Sequence, residues 1–252
     1  MRYVPTPIRI FLGLVLFLVA SAVVAVVALP LLPWPVARIR LCNLYGKIVG
    51  RSIVSLAAVT PNISHRERLN GSMPAIYVAN HCATLDMFVS IWLCPYGGCG
   101  VLKREMVRVP VFGQMAWLSG HLLLDRGNKE KAVEALRETA EFVKQKRLGL
   151  WIMPEGTRSR SGRLMPFKKG FVHLAIATGL PVVPLVLHGA HKNWAPGAWS
   201  FTPMTLEIEV LEPIDTSGWK EETAGAHADA VHDLIASRLR EDQKPLAAAK
   251  AA

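Results

Sequence analysis

Residues 75–86 read AIYVANHCATLD, and they join a short apolar run to a polar loop and a new helix. The first five residues form a continuous apolar run, which is typical of a buried strand. Thr84 is of a residue type that begins helices, so Asp86 falls in the first turn of the helix that follows. A buried strand that leads into a helix is characteristic of α/β proteins. This stretch therefore predicts the fold class.

The same alternation continues along the chain. Further strands are predicted at residues 100–102, 121–124, 150–153, 182–187 and 204–211, and helices at 129–144, 171–178 and 226–239. Strands that alternate with helices in this way predict an α/β domain with a mixed sheet flanked by helices.

The N-terminal part of the chain has a different composition. Residues 10–32 form an apolar run without a charged residue. A helix rises about 1.5 Å per residue, so roughly 20 apolar residues cross a hydrocarbon core of about 30 Å. Residues 20–22, ASA, have the small-residue form of a signal-peptide cleavage site, but the apolar run continues well past them. We therefore expect a retained membrane anchor.

Three prolines between residues 30 and 35 end this run, because proline disfavours helix continuation. Residues 36–59 then show helical apolar spacing, with basic residues between the apolar positions. The pattern fits a basic amphipathic helix in the membrane interface, or a surface helix that packs on the domain. We expect residues 1–60 to form a membrane-binding helical element, 61–244 the α/β domain and 245–252 a flexible tail.

The charge balance narrows the choice of partners. The formal net charge is +10, from 29 Lys and Arg against 19 Asp and Glu. This balance suits anionic lipid headgroups, a phosphorylated substrate or nucleic acid. The sequence shows no zinc finger, aromatic RNA-binding motif or basic zipper, so nucleic acid is not an expected partner. The four cysteines do not form paired C-x-x-C clusters, and we expect reduced thiols facing the cytosol.

His81 and Asp86 form the first candidate site. If His81 lies in the loop before the helix, the Asp86 carboxylate can fold back toward the imidazole. A histidine with a pKa of about 6.5 can take a proton from a hydroxyl that attacks a thioester, and a carboxylate fixes the tautomer of the histidine. A His and an Asp five positions apart are also common for structural reasons, so the pair alone leaves both roles open.

A second candidate site follows another predicted strand, where residues 153–159 read MPEGTRS. Gly156 permits a tight turn, Arg158 offers a planar fork that matches phosphate oxygens, and Thr157 adds a hydroxyl donor. The same stretch also fits a solvated basic loop in which Glu155 is a capping residue.

Two more blocks have a less specific pattern. Lys103 and Arg126 each flank a predicted strand, where they could reach one shared anion or simply carry surface charge. Residues 183–189, VPLVLHG, form an apolar strand that contains Pro184. Proline within a strand predicts a sheet edge or a bulge, which could shape an acyl groove or close the sheet.

In this order and at these separations, the four blocks resemble those of the glycerophospholipid acyltransferase family. The resemblance covers residues 77–189 and is strongest to the branch of 1-acyl-glycerol-3-phosphate acyltransferases, in which an N-terminal apolar anchor is also typical. Two positions depart from the usual family pattern, Met153 and Leu123, where aromatic residues are common. Both exchanges are apolar, so they affect the expected substrate selectivity more than catalysis.

The resemblance implies transfer of a fatty acyl chain from acyl-CoA or acyl carrier protein to the free hydroxyl of a lysophospholipid. It implies His81 as general base and Asp86 as its partner. The implied acceptor-site residues are Glu155, Gly156, Thr157 and Arg158, with Lys103, Arg126 and Arg158 near the phosphate. No metal or other cofactor is expected, since direct attack by the acceptor hydroxyl suffices, and an acyl-cysteine at Cys82 is not required.

Two alternatives to this function stay open at the level of sequence. One is acylation of a different lyso-lipid, such as a lyso-ornithine lipid. The other is a non-catalytic module that binds anionic lipids, which would not require a general base. For the acyltransferase we expect a location at the inner (cytoplasmic) membrane, with the catalytic domain facing the cytosol.

Overall fold

A computed structural model describes residues 4–124, 129–194 and 199–246. Strands in the described residues are β1 Val59–Ser64, β2 Ile76–Ala79, β3 Gly98–Lys103, β4 Leu122–Leu124, β5 Gly149–Ile152, β6 Val182–His188 and β7 Met204–Val210. The α-helices there are α1 Thr6–Ala28, α2 Pro35–Leu56, α3 Glu67–Gly71, α4 Leu85–Leu93, α5 Phe112–Leu118, α6 Lys129–Lys146, α7 Gly170–Thr178 and α8 Ala224–Arg238.

Within the described ranges the strands form one seven-stranded sheet in the order β1-β7-β6-β2-β5-β3-β4. All neighbouring strands are parallel except β6 and β7, so the sheet is mixed, as the sequence predicted. All six predicted strands are present, with ends shifted by one or two residues. Because β2 and β5 are adjacent and parallel, the loops after their C-terminal ends lie side by side. Both main candidate motifs begin in these loops.

Side chains alternate across the sheet and build a core on each face. In β2, Tyr77 and Ala79 point toward the face covered by α4, whereas Ile76 and Val78 point toward the face covered by α6, α7 and α8. This alternation is the period-two rule for strands. All four residues are fully buried, as expected for a central strand of a sheet covered on both faces.

One strand was missed by the sequence analysis. Residues 59–64, including Pro61, form β1, which pairs in parallel with β7. The helix predicted over 36–59 ends at Leu56 instead. Pro61 is tolerated because β1 is the first strand in the sheet order, and an edge strand has one unpaired side.

The prediction that Pro184 marks a sheet edge was wrong, whereas the alternative of a bulge agrees with the irregular pairing beside it. β6 lies between β2 and β7, and Pro184 is in register with Val78 of β2. The Pro184 carbonyl accepts a hydrogen bond from Leu211 N at 2.9 Å. Because the nitrogen and the carbonyl of one strand residue point to the same side, the Pro184 nitrogen also faces the β7 side and not β2. Leu185 pairs with Val210 and Val182 pairs with Ile214, so two residues of β6, Val183 and Pro184, face three residues of the partner segment.

The two N-terminal helices differ in how they contact the domain. Residues Thr6–Leu31 are the one stretch in the described residues that is long and apolar enough to cross a membrane. Its most apolar 18 residues have a mean hydropathy of 3.0, and 6% of them are buried. Helix α2 begins with Pro35 in its first turn and packs closely on α4. A Cβ at Gly46 would lie 2.8 Å from Ile91 O, and one at Gly50 would lie 2.5 Å from Phe88 O, so only glycine permits this approach.

Candidate active site

The loop between β2 and α4 is fixed to the neighbouring strand β6. The Asn80 side chain, which is buried, donates to Leu187 O at 3.1 Å and accepts from Leu187 N at 2.8 Å. These two bonds extend the backbone pairing of β2 and β6 by one residue. The loop that carries His81 therefore leaves the sheet in a defined direction.

His81 and Asp86 are in direct contact. His81 Nδ1 lies 3.0 Å from Asp86 Oδ2, and the Asp86 side chain is completely buried while that of His81 is 15% exposed. As expected from the sequence, His81 lies in the loop and Asp86 in the first turn of α4. The carboxylate accepts the proton on Nδ1, so Nε2 is the ring nitrogen that can take up a proton.

The Asp86 carboxylate also shapes the loop. Its Oδ2 atom accepts hydrogen bonds from Cys82 N at 2.6 Å and from Ala83 N at 2.7 Å. Thr84 precedes the helix as predicted, but its side chain makes no capping hydrogen bond. Asp86 binds N–H groups before its own helix, and in this way the carboxylate that holds the imidazole also holds the loop.

Glu155 fixes the same loop from the other side. Glu155 Oε1 accepts from His81 N at 2.6 Å, and Oε2 accepts from Met165 N at 3.0 Å. Ser159 N donates to His81 O at 3.0 Å. The Glu155 side chain is buried and is not part of the cavity lining described below, unlike the three residues that follow it. The solvated-loop interpretation is therefore wrong for Glu155, whose contacts join the two motifs.

Burial raises the pKa of Glu155 from 4.5 to about 8, opposed by the hydrogen bonds from His81 N and Met165 N. The unfolded chain releases this proton near pH 4.5, so the folded protein binds more protons up to pH 8, and its stability falls as the pH rises through that window. Burial lowers the pKa of His121 from 6.5 to about 4, which acts in the opposite direction but only below pH 6.5.

We therefore expect the free energy of unfolding to fall between pH 6.5 and 8, and this fall to be absent in Glu155→Gln. Urea unfolding in a neutral detergent at a series of pH values measures the effect. Glu222→Gln, at an exposed position, is the matched control and should keep the wild-type pH dependence. An unchanged slope in Glu155→Gln would contradict the assignment.

The predicted acceptor-site residues are only partly brought together in the described part of the chain. Gly156 adopts a left-handed backbone with φ of 72°, which turns the chain after β5. Arg158 is exposed and its Nη1 donates to Thr84 Oγ1 at 2.8 Å, so the two motifs also meet at the surface. Lys103 ends β3, and Arg126 lies outside the described residues. A shared anion between Lys103 and Arg126 stays a prediction.

A cavity of about 400 Å³ begins at these residues and extends into the protein. His81, Thr84, Gly156, Thr157 and Arg158 contribute to its polar lining, together with Asn43, Ser90, Ser119 and His121. The remaining lining is mainly apolar and comes from α1, α2, α4, α5, β3 and β5: Phe17, Ile39, Phe88, Ile91, Val101, Leu102, Phe112, Met115 and Trp151. The His–Asp pair therefore faces a space suited to a hydrocarbon chain.

One further histidine lines this cavity. His121 Nδ1 lies 2.8 Å from Ser119 Oγ, and that hydroxyl donates to Ala116 O. With its pKa lowered to about 4, the imidazole is neutral near pH 7. The cavity therefore gains no charge from His121, which suits an apolar occupant.

Gln243, which sequence reasoning missed, joins the end of β6 to the loop that carries His81. Its side chain is completely buried, donates to Leu187 O at 3.2 Å and accepts from Gly189 N at 2.6 Å. Gln243 Nε2 also lies 3.8 Å from Cys82 Sγ. Gln243 follows the last predicted helix, in a stretch without apolar periodicity, so no sequence pattern indicated it.

Cys82 does not have the surroundings of a nucleophile. It is buried, and burial together with the nearby Asp86 carboxylate raises the pKa of its thiol far above the ordinary range. Cys82 is also not part of the cavity lining. The four cysteines are all buried and unbonded. These facts favour direct transfer over an acyl-cysteine intermediate.

Known proteins resemble this chain over most of its length. A family model described as "Acyltransferase" matches residues 60–188. The 1-acyl-sn-glycerol-3-phosphate acyltransferase of Limnanthes douglasii is 38% identical over 238 residues, which are 94% of this chain and 84% of that protein. The protein of the same name from Cocos nucifera is 40% identical over 239 residues, 95% of this chain and 77% of that protein.

A solved structure is similar over nearly the whole chain. It is the crystal structure of the 1-acyl-sn-glycerophosphate (LPA) acyltransferase PlsC from Thermotoga maritima, with a TM-score of 0.65. The alignment covers 91% of this chain and 97% of that chain at 23% sequence identity. At this identity the similarity supports the fold.

Proposed function

The chain belongs to the acyltransferase family, and from that membership we propose that it acylates the free hydroxyl of 1-acyl-glycerol-3-phosphate to give phosphatidic acid. The single observation that carries the proposed mechanism is the contact between His81 Nδ1 and Asp86 Oδ2 at 3.0 Å, beside an apolar cavity. A module that only binds lipids has no need of a histidine held in one tautomer by a buried carboxylate.

In the proposed reaction His81 Nε2 takes the proton of the acceptor hydroxyl as its oxygen attacks the carbonyl carbon of the acyl thioester. Asp86 stabilises the imidazolium that forms, because its carboxylate accepts the Nδ1 proton. The C–S bond then breaks, and the thiolate leaves with the proton from His81. The products are an ester and a free thiol, and no covalent enzyme intermediate is needed.

The acyl chain of the substrate fits the apolar part of the cavity. This part is lined by residues from β3 and from the helices around it, with His81 and Thr84 at its polar side. A chain bound there would be shielded from water with its reactive end close to His81. The donor is proposed to be acyl-CoA or acyl carrier protein, which present the same thioester.

The phosphate of the acceptor is proposed to bind near Gly156, Thr157 and Arg158. Thr157 and Arg158 are exposed at the opening of the cavity, and a planar guanidinium can bind two phosphate oxygens at once. Lys103 and Arg126 are proposed to add positive charge. Glu155 is proposed to act indirectly, through its hydrogen bond with His81 N.

We propose that residues 1–60 anchor the protein in the membrane and that 61–244 form the acyltransferase domain. Helix α1 exposes most of its apolar surface, which is unfavourable in water. The positive-inside rule places the basic side of a membrane segment in the cytosol. Arg38, Arg40, Lys47 and Arg51 follow α1, against Arg2 and Arg9 near the start of the sequence, so we propose that the domain faces the cytosol at the inner membrane.

The test of the proposed function is an assay of the purified full-length protein with labelled donors and a panel of acceptors. The donors are acyl-CoA and acyl carrier protein of several chain lengths. The acceptors are 1-acyl-glycerol-3-phosphate, its dephosphorylated form, lysophosphatidylcholine and a lyso-ornithine lipid. We expect phosphatidic acid from the first acceptor at a much higher kcat/KM than any other product. A clear preference for an acceptor without a phosphate monoester would contradict the proposal.

A further prediction concerns Arg158. Arg158→Ala should raise the KM for the phosphorylated acceptor by about tenfold or more, because a hydrogen bond to a charged group contributes about 1.5–3 kcal/mol. The KM for the donor should change little. Arg158→Lys should restore only part of the effect, since an ammonium cannot form the two parallel bonds of a guanidinium.

Steady-state kinetics with each substrate varied in turn measure this difference. Arg160→Ala is the matched control, because Arg160 is exposed in the same loop but does not line the cavity. An increase in the donor KM alone would show that Arg158 binds the donor. Equal effects of the two alanine substitutions would point to general surface charge.

A further inference from the structure

A second concave surface lies between the two N-terminal helices. This groove has a volume of about 660 Å³ and shares no lining residue with the cavity at His81. One wall is apolar and consists of Leu12 and Leu16 of α1 together with Ile48 of α2. The lining also contains three cations, Lys47, Arg51 and Arg66.

Two of the groove's cations share one aromatic ring. The guanidinium carbon of Arg51 lies 5.2 Å from the centroid of Trp92, and that of Arg66 lies 5.7 Å from it. Lys47 Nζ lies 5.9 Å from the centroid of Tyr96. The aromatic rings hold these positive groups in place, since a cation is attracted to the face of an indole or phenol ring.

The groove cations lack acidic partners in the described part of the chain. None of the ion pairs there involves Lys47, Arg51 or Arg66. The first acidic residue in the sequence is Glu67, whose side chain is 76% exposed and lies 3.7 Å from His65 Nδ1. Cations held close together without a carboxylate repel each other, and a bound anion would remove that repulsion.

The apolar wall indicates what kind of anion fits. Leu12 is 45% exposed and Ile48 is 54% exposed, and the wall is continuous with the apolar surface of α1. An anionic phospholipid would use both parts of the lining, with its phosphate at the cations and its acyl chain along α1. A free phosphate ion would leave the apolar wall unused.

We propose that this groove binds one anionic phospholipid of the surrounding membrane as a resident ligand, apart from the acceptor in the active-site cavity. The proposal rests on the proposed membrane location of α1, but not on the proposed reaction. Trp92 lies in α4, whose first turn contains Asp86, and α2 packs on α4 through Gly46 and Gly50. A lipid in the groove would therefore contact both α2 and α4, the helix that carries Asp86.

Native mass spectrometry of the full-length protein, released from a neutral detergent, tests the proposal. Phosphatidylglycerol and phosphatidylcholine with the same acyl chains are added separately, without any acyl donor. We expect one phosphatidylglycerol to be retained about tenfold better than phosphatidylcholine, and Arg51→Gln to reduce its retention about tenfold. Arg51→Lys should retain more of the lipid than Arg51→Gln does.

Arg40→Gln is the matched control, since Arg40 is also exposed on α2 and lies over Tyr96 but does not line the groove. It should change retention by less than about twofold, the size of a weak surface contribution. Equal losses in Arg40→Gln and Arg51→Gln would overturn the proposal in favour of a diffuse charge effect. Equal retention of the two lipids would also overturn it.

Two more measurements distinguish the groove from the active-site cavity and from a site for free anions. Arg158→Ala should leave phosphatidylglycerol retention unchanged, and a loss would show that the lipid occupies the active-site cavity. Inorganic phosphate should not displace the lipid, and displacement would identify the site as one for free anions. Melting temperatures in detergent without added lipid check that each variant is folded. All of these readouts are binding measurements, so failure of the proposed acyl transfer would not affect them.

Discussion

His81→Ala is expected to lower kcat for acyl transfer by about 10²–10⁴-fold while leaving the protein folded, because general-base catalysis contributes about this factor. His81 is the one member of the His–Asp pair that faces the cavity. Its removal leaves the acceptor hydroxyl protonated as it attacks the thioester. The Asp86 carboxylate would keep its hydrogen bonds from Cys82 N and Ala83 N, so the loop should keep its conformation.

The measurement is single-turnover transfer of labelled acyl groups, in which product release does not limit the rate. His173→Ala is the matched control, because His173 also pairs its Nδ1 with a carboxylate, that of Glu221, but on α7 and outside the cavity lining. Its rate should equal that of the wild type. A His81→Ala protein with a near wild-type rate of chemistry would exclude His81 as the base.

Contacts close in sequence could be predicted, and contacts between strands could not. The loop after β2 was predicted because His81 and Asp86 are five positions apart, so a strand end and a helix start determine their approach. The bond from His81 N to Glu155 spans 74 positions and depends on the parallel register of β2 with β5. No local pattern contains that register, so the sequence did not indicate the contact of Glu155 with the His81 loop.

The two errors involving proline have the same origin. Pro61 is the first residue of the predicted domain, where no strand was expected, yet it lies within an edge strand. Pro184 indicated an edge as one of two alternatives, yet it lies in an internal strand. A proline is tolerated in a strand wherever its backbone nitrogen does not face a carbonyl of a neighbouring strand. Whether such a position exists depends on where the neighbouring strand ends, which the sequence around the proline does not contain.

In the N-terminal helices, too, local features could be predicted and contacts distant in sequence could not. The length and composition of residues 10–32 predicted a helix, and α1 contains most of them. The amphipathic pattern of residues 36–59 left two interpretations, and α2 has features of both. Its glycine face packs on α4, while Leu44 and Ile48 are 54% exposed on its outer side. The choice of neighbour for each face depends on α4, which is distant in sequence.

Asp86→Asn is expected to lower kcat by about 10²-fold or more, with little change in the KM of either substrate. The amide oxygen of Asn could replace Oδ2 and accept the same hydrogen bonds from His81, Cys82 and Ala83. Its NH2 group would replace Oδ1, which is buried and has no hydrogen-bond partner among the described residues. The substitution therefore keeps the shape of the site and removes the negative charge that stabilises the imidazolium.

Because Asp86 is proposed to act through His81, its effect on the rate should depend on that histidine. Asp86→Asn introduced into His81→Ala should lower the remaining rate by much less than it does in the wild type, since residues that act as a unit are not additive. Asp233→Asn is the control, because Asp233 Oδ1 lies 3.1 Å from His232 Nδ1 in a similar pair on α8. Its rate and melting temperature should match those of the wild type. If Asp86→Asn lowered the rate equally with and without His81, or only lowered the melting temperature, Asp86 would be a structural residue of the loop and the imidazole would act without it.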